Sequence, residues 1–256
     1  MSLRVLRVNG VPTPASGASG GDGGLSQEGG CAGCQVRHLA MCAALPLEQA
    51  RELEAMAGDI TLSAGQLLAR EGDNRRGVFT VTAGALRRIR LLPDGRRLVA
   101  GFLMPGDFIG FSGATRYRHS IEAIVDSQLC AFATRDMRSL CEQHPQLERE
   151  LLDRACVELD ATRDKLMSLA RLNPLERLAG FLLDMAARRR RRGWSDTEVT
   201  LPMTRSDIAD YLGLTVETVS RSFTRLRQEG AIATDDPHHV RLLDPARLEA
   251  LAEARG

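Results

Sequence analysis

The texture of the chain changes near residue 148. Upstream, from about residue 64 to residue 132, short apolar stretches are broken by glycines with Asp or Pro beside them, as in P93-D-G95 and P105-G-D107. Downstream, residues 148–170 contain neither glycine nor proline. The first pattern predicts an antiparallel roll or barrel of short strands, because each turn former permits a reversal that bulkier residues resist. The second predicts one long helix, because nothing in it interrupts the i→i−4 hydrogen-bond ladder. A chain that does both is α+β, with a strand-rich unit first and helices after it.

Strand candidates are residues 64–68, 78–81, 83–86, 98–102, 104–110, 121–125 and 128–132, with Pro93-Asp94-Gly95 the clearest hairpin turn. A short helix over 48–56 precedes most of them. On the long helix, Leu152, Cys156, Leu159, Arg163, Leu166 and Ala170 recur at steps of four and three, close to a coiled-coil seam interrupted by Arg163. Such a stripe either packs on the chain's own strands or meets a second copy; its length and its place before the elements below favour a dimer helix. Asn173-Pro174 ends it and starts another helix over 175–192, expected to bury Leu178, Phe181, Leu182 and Met185. That helix ends in five consecutive arginines, Arg188 to Arg192. Such a run is commonly a solvated helix end favoured by the negative pole of the dipole, and its nearness to the next motif makes phosphate contact an equal alternative.

Residues 201–230 read L-P-M-T-R-S-D-I-A-D-Y-L-G-L-T-V-E-T-V-S-R-S-F-T-R-L-R-Q-E-G. Thr204 with Asp207 three residues on is a capping-box variant, Ile208, Ala209 and Leu212 form an inner face, and Gly213 permits a turn. Thr215 then caps a second helix whose inner face is Val219, Phe223 and Leu226. Helix, glycine turn and helix make a helix-turn-helix. The outer face of the second helix presents Glu217, Ser220 and Arg221. Arg suits guanine O6 and N7, Glu accepts from cytosine N4, and Ser serves either kind of edge. Arg225, one turn on, is placed for phosphate, as are Thr204 and Thr215 at the two helix starts. Residues 231–234 and 239–243 supply the hairpin of a wing.

Three of the six cysteines sit in C31-A-G-C34-Q-V-R-H-L-A-M-C42, and Cys130 follows far downstream. Thiolates select zinc, copper(I) or iron–sulfur centres over hard cations, and four of them make either a structural zinc cage or an iron–sulfur site. Cys141 and Cys156 have apolar company at helical positions and read as core or seam residues. Residues 12–30 are mostly Gly, Ser, Ala and Pro, a composition that buries too little to order itself; the cysteine segment is therefore expected to be anchored by little besides what it binds. The five histidines, His38, His119, His144, His238 and His239, are scattered, and no base–nucleophile pair or nucleotide-cradling glycine loop is present. An enzyme or electron carrier built on the cysteines is the rival class; a terminal winged helix gives it no role. With 256 residues the chain supports two domains, and a net charge of +1 excludes a wholly basic coating protein. Without a signal-like or membrane-spanning run it is expected in the cytoplasm, where its cysteines are reduced thiols or ligands.

The order of these parts, with L212-G-L-T-V-E-T-V-S-R221, N173-P-L-E-R-L-A-G-F181 and the cysteine spacing, resembles the Crp/Fnr family of bacterial transcription regulators, and within it the oxygen-responsive Fnr branch of FnrN/FnrL type. The resemblance implies a tail (1–30), a cysteine segment (31–45), a double-stranded β-roll sensor domain like those that bind cyclic nucleotides (46–147), a dimerisation helix (148–171) and a winged helix-turn-helix (172–256). It implies one [4Fe–4S] cluster per subunit on Cys31, Cys34, Cys42 and Cys130, lost or converted by oxygen or NO, and a homodimer whose Glu217, Ser220 and Arg221 read a TTGAT-like palindrome in double-stranded DNA. RNA polymerase is the implied protein partner. Cyclic nucleotide is not expected, since Phe111 and His119-Ser120 stand where a Glu and an Arg-Ser pair would hold its ribose and phosphate. On the dimer helix, Leu152, Cys156, Leu159 and Leu166 form the seam, and Thr162 stands where the family has an aspartate that opposes dimerisation without the cluster. A regulator that responds to haem, or to no ligand at all, is the alternative within the family.

Overall fold

The computed structural model describes residues 31, 33–75, 77–110 and 114–252. The Gly-rich stretch 1–30 and Phe111 therefore lie outside the described residues. The described residues divide into two compact units, one within 31–88 and 102–156, the other within 89–101 and 157–252.

In the first unit, two short 3₁₀ turns, Arg37–Leu39 and Met41–Ala44, lead into α1 (Leu47–Met56). Strands follow: β1 (Gly58–Leu62), β2 (Leu67–Ala69), β3 (Gly77–Ala83), β4 (Leu86–Leu91), β5 (Arg97–Leu103), β6 (Phe108–Ile109), β7 (Ser120–Ala123) and β8 (Ser127–Ala133), of which the end of β4 and most of β5 fall in the second unit. They form two four-stranded sheets, ordered β1-β8-β3-β6 and β2-β7-β4-β5. Leu62, Leu68, Phe79, Val81, Leu86, Ile109, Ile121 and Leu129 make the interior, each fully buried side chain contributing ~1.5–3 kcal/mol. A second apolar cluster on the other side of β3 and β8 gathers Met41, Leu45, Leu53, Val78, Phe132, Met137, Leu140, Leu147 and Leu151, drawn from the 3₁₀ segment, α1, α2 (Thr134–Gln143) and the start of α3. The Pro93-Asp94-Gly95 turn closes β4 on β5, with Gly95 at φ 84° and Asp94 accepting from the Arg96 amide at 3.0 Å.

The long helix α3 spans Pro145–Arg171, beginning before the expected residue 148 because proline suits a first helical turn. Leu152, Leu159 and Leu166 on it are 61%, 50% and 67% exposed, and Cys156 beside them is also exposed. Thr162 donates to the Glu158 carbonyl at 2.7 Å, so its hydroxyl is satisfied within its own helix.

The second unit continues with α4 (Pro174–Arg191), β9 (Glu198–Thr200), α5 (Arg205–Leu212), α6 (Val216–Gln228), β10 (Ile232–Thr234), β11 (His239–Leu242) and α7 (Pro245–Ala252). Asn173 and Glu176 form a reciprocal capping box at the start of α4. Leu178, Phe181, Leu182 and Met185 are buried. Arg177 donates to the carbonyls of Leu169, Leu172 and Leu212, at 2.9, 2.8 and 3.1 Å, and so satisfies helix-end acceptors of both α3 and α5. The wing has three strands, ordered β10-β11-β9; β9 is a strand that composition alone does not announce. No helix among the described residues is long and apolar enough to cross a membrane.

Candidate nucleic-acid interface and thiol edge

Helix α6 is positioned by groups close to it in sequence. Thr204 accepts from the Asp207 amide at 3.2 Å and donates its hydroxyl to the Asp207 carboxylate at 2.8 Å, which in turn accepts from the Thr204 amide at 3.0 Å. The Asp207 side chain is fully buried, and its other oxygen lies 2.8 Å from Arg97, which also binds Asp210 at 2.7 Å. Gly213 ends α5 at φ 65°, the left-handed conformation that glycine tolerates best. Thr215 then accepts from the Thr218 amide at 3.2 Å to start α6. Val219, Ser222, Phe223 and Leu226 are buried, which turns Glu217, Ser220, Arg221 and Arg225 outward.

Glu217 is held below the usual carboxylate range by a hydrogen bond to its own backbone amide, then by the Thr215 hydroxyl, with Arg221 adding its charge. It is therefore an ionised acceptor. The Ser220 hydroxyl rests on the Val216 carbonyl at 2.8 Å, and Arg225 pairs with Glu229 at 2.8 Å. A groove of about 380 Å³ between the start of α4 and the outer side of α6 is lined by Asn173, Pro174, Thr218, Arg221 and Arg225 among others.

Arg205 was not singled out by its sequence context. Its guanidinium stacks 3.2 Å from the centre of the Phe223 ring, one of its nitrogens is buried without a hydrogen-bond partner, and its pKa is pushed down to about 10 by burial and by nearby Arg227. A Thr-Arg pair opening the first helix was the available signal, but the stacking on Phe223 is a tertiary event.

The cysteines form the second candidate site. Cys130 lies on β8 between Asp59 of β1 and Thr80 of β3. Strand alternation turns Leu129 and Ala131 inward, and Cys130 joins Cys42 against the outer apolar cluster. Burial, then the neighbouring Cys31, Asp59, Cys42 and Cys34, push the Cys130 thiol up to about 12. Burial likewise raises Cys31 to about 11, followed by Cys42, Glu54 and Cys34, with Arg37 opposing. Cys42 is raised by burial and then by Cys34. The four sulfurs thus share one electrostatic neighbourhood. Yet among the described residues no three His, Cys, Asp or Glu side chains are placed to hold a metal ion. Electrostatic reach is longer than a metal–sulfur bond, which reconciles the two observations.

The expectation that little anchors the cysteine segment is overturned. Met41 and Leu45 are buried, Arg154 donates to the Leu39 carbonyl at 2.7 Å, and Leu39 sits where a side chain on Gly106 would meet its Cβ at 2.7 Å. Apolar residues between the cysteines tie the segment to the roll independently of any ligand. Cys141 is part of the packed outer cluster.

A strand-rich unit followed by a helix-turn-helix with a three-stranded wing defines a sensor-type DNA-binding regulator. Residues 59–144 match the cyclic nucleotide-binding domain family, and residues 176–251 match the Crp-like helix-turn-helix domain family. The chain is 43% identical over 225 residues to the nitrogen fixation regulation protein FixK of Bradyrhizobium diazoefficiens, covering 88% of this chain and 94% of that one. It is 34% identical to the transcriptional activator protein FnrL of Cereibacter sphaeroides, over 85% and 90% of the two chains. The solved structure of FixK2 from Bradyrhizobium japonicum superposes with a TM-score of 0.73 at 32% identity, over 78% of this chain and 99% of that one. The chain belongs to the Crp/Fnr family of transcription regulators, related to its FixK, FnrL and Anr members, and its role is regulatory rather than enzymatic.

Proposed function

We propose that this regulator binds a TTGAT-like palindrome as a homodimer, with Arg221 on guanine, Glu217 on the paired cytosine and Ser220 assisting. The observation that carries the proposal is the exposed row of these three residues on a helix whose opposite side is wholly buried. Arg225 and Thr215 are assigned to phosphate, whereas Thr204 gives both its amide and its hydroxyl to Asp207 and so caps its helix instead. Arg205, a stacked cation beside Arg227 with one buried nitrogen that has no hydrogen-bond partner among the described residues, joins the phosphate set. The exposed Leu152–Leu159–Leu166 stripe supports pairing of two α3 helices, which would set two reading helices about one DNA turn apart.

For the input, Cys31, Cys34, Cys42 and Cys130 are the residues that would hold a [4Fe–4S] cluster, and their soft, mutually coupled thiols suit it. Such a cluster would supply oxygen- or NO-labile iron–thiolate bonds. A second reading rests on the absence of a preformed metal site among the described residues: a cluster-free regulator answering another signal, its Cys31 and Cys130 thiols protonated at neutral pH. A zinc-stabilised regulator would instead hold the metal on the same residues as thiolates. Absorption of protein isolated without air distinguishes them, since an iron–sulfur cluster is brown and zinc colourless. A colourless wild type would remove the cluster reading, and a Cys130→Ala protein with full iron and sulfide would remove Cys130 from it.

The base assignment has its own test. Arg221→Ala should lose about 1–3 kcal/mol of discrimination at one base pair while keeping most of its non-specific binding. Equal weakening on every sequence would make Arg221 a phosphate contact.

A further inference from the structure

The arginine run that ends α4 has no part in the reading helix, yet the fold places it beside the wing. Helix α6 packs on β10, and α4 packs on β9. The wing is ordered β10-β11-β9. Helix α4 also packs directly on α6, so it is its arginine-bearing end, fastened to β9, that lies beside the wing. It is also near the wing's turn: Thr200 of β9 pairs with His239, the first residue of β11, and Arg189 donates to the Thr200 hydroxyl at 3.3 Å.

The side chains there form a built cationic surface. Trp194 is 53% exposed, with the guanidinium of Arg189 at 5.2 Å and that of Arg192 at 5.8 Å from its ring centre. Arg189 also donates to the Ser195 carbonyl at 3.3 Å, which fastens the turn after the helix. Arg190 is 73% exposed and meets Asp196 only at 3.7 Å, and Arg191 is exposed. The opposing carboxylates are Asp184, engaged by Arg188 at 3.1 Å, Asp196, and Glu198 on β9. Those of the wing turn, Asp235 and Asp236, face Arg241 and His239 at 3.5 and 2.7 Å. Among the described residues, five guanidinium groups thus face three nearby carboxylates and leave a net positive surface, with Arg189 and Arg192 held over the Trp194 ring.

We propose that Arg189–Arg192 and Trp194 form a second DNA-binding surface, which grips phosphates of duplex flanking the half-site on the wing side. It rests on the reading of the protein as a DNA-binding regulator and extends the footprint beyond the bases read by α6. Arginine suits this role because its planar fork engages phosphate oxygens two at a time, and each phosphate neutralised releases condensed counterions.

The test uses the full-length protein and an Arg190→Ala/Arg191→Ala double variant, which spares the bonds of Arg189. Binding is measured on a core duplex of about two helical turns and on one of about 60 base pairs with the same centre. The variant should match wild type on the core duplex and bind the long one about tenfold more weakly. Its log–log salt slope on the long duplex should be shallower by about 2, as expected for two lost phosphate contacts, with an unchanged melting temperature. A double lysine variant should recover most of the loss. The same comparison on a long scrambled duplex keeps the test independent of base readout: there the variant should again lose salt-dependent affinity, whether or not wild type prefers TTGAT. Equal affinities for variant and wild type on all duplexes would overturn the proposal. If transcription by purified polymerase fell while DNA binding did not, the surface would belong to an acidic protein partner instead.

Discussion

The reading helix and the thiol edge solve different problems. The groups that start α6 and hold the helix before it lie mostly within a few residues of one another: Thr204 with Asp207, then Gly213, then Thr215 with Thr218. A distant residue, Arg97, also contributes to the buried Asp207. The thiols, by contrast, come from the segment around the 3₁₀ turns and from a strand nearly ninety residues later, and those of Cys31, Cys42 and Cys34 raise the cost of ionising Cys130. One region has its helix starts closed by local hydrogen bonds in its ground state. The other holds soft ligands together, with Cys31, Cys42 and Cys130 raised by burial, and is anchored by Leu39, Met41 and Leu45. A readout element benefits from preorganisation, whereas the proposed input element would have to remain able to change state.

The sharpest way to break this contrast is to remove one group from each region. Asp207→Ala should lower the unfolding free energy by about 3 kcal/mol, since it deletes a cap and leaves the mostly buried Arg97 with only Asp210. Cys130→Ala in metal-free protein should cost only about 1 kcal/mol, the loss of one partly buried sulfur. Urea unfolding of both variants decides it; equal costs would mean the thiol edge is as structural as the reading helix.

A Leu159→Glu/Leu166→Glu variant probes what connects the regions. Placing carboxylates on the exposed stripe of α3 should yield monomers in sedimentation and weaken binding to a full palindrome about a hundredfold, because the second half-site is no longer tethered. Retained dimers would assign the stripe another role.

The smallest expected effect lies in alkaline pH, where the two units move in opposite directions. Cys31 and Cys130 have folded pKa values pushed up to about 11 and 12 from 9.0. The unfolded chain therefore loses these protons first, and their contribution to stability declines as pH rises above 9. Lys165 has the opposite sign. It donates to the Ala100 carbonyl at 3.2 Å and lies 3.4 Å from the centre of the Tyr211 ring, yet burial pushes its pKa down to about 8 from 10.5. Between those values the folded protein has already shed a proton that the unfolded chain retains, so stability gains with pH there. Urea midpoints across this range should fall less steeply with pH in Cys130→Ala than in wild type, and more steeply in Lys165→Met. Unchanged slopes would show that these groups ionise alike in both states.

Much of this architecture is legible residue by residue. Asn173-Pro174, Thr204 with Asp207, Gly213 and Thr215 mark helix ends by local hydrogen bonding, and each stands at the boundary it implies. The Pro93-Asp94-Gly95 turn is equally local. What escapes such reading has a thin periodic signal: α2 buries only Met137 and Leu140, and β1 and β9 are five- and three-residue strands that exist because β8 and β11 pair with them.

The sequence by itself determined the order of the parts, the reading helix with its outward Glu217, Ser220 and Arg221, and the supply of soft ligands, because those follow from capping chemistry, period and residue type. Only the tertiary structure decided which residues share an environment: that Cys130 joins Cys42 on the outer side of the sheet, that Arg205 stacks on Phe223, that Arg97 neutralises a buried carboxylate, and that the arginines ending α4 lie beside the wing. The reason is physical. A cap or a turn is closed by neighbours a few bonds away, whereas the burial and electrostatic surroundings of a distant pair exist only once the sheets have chosen their register.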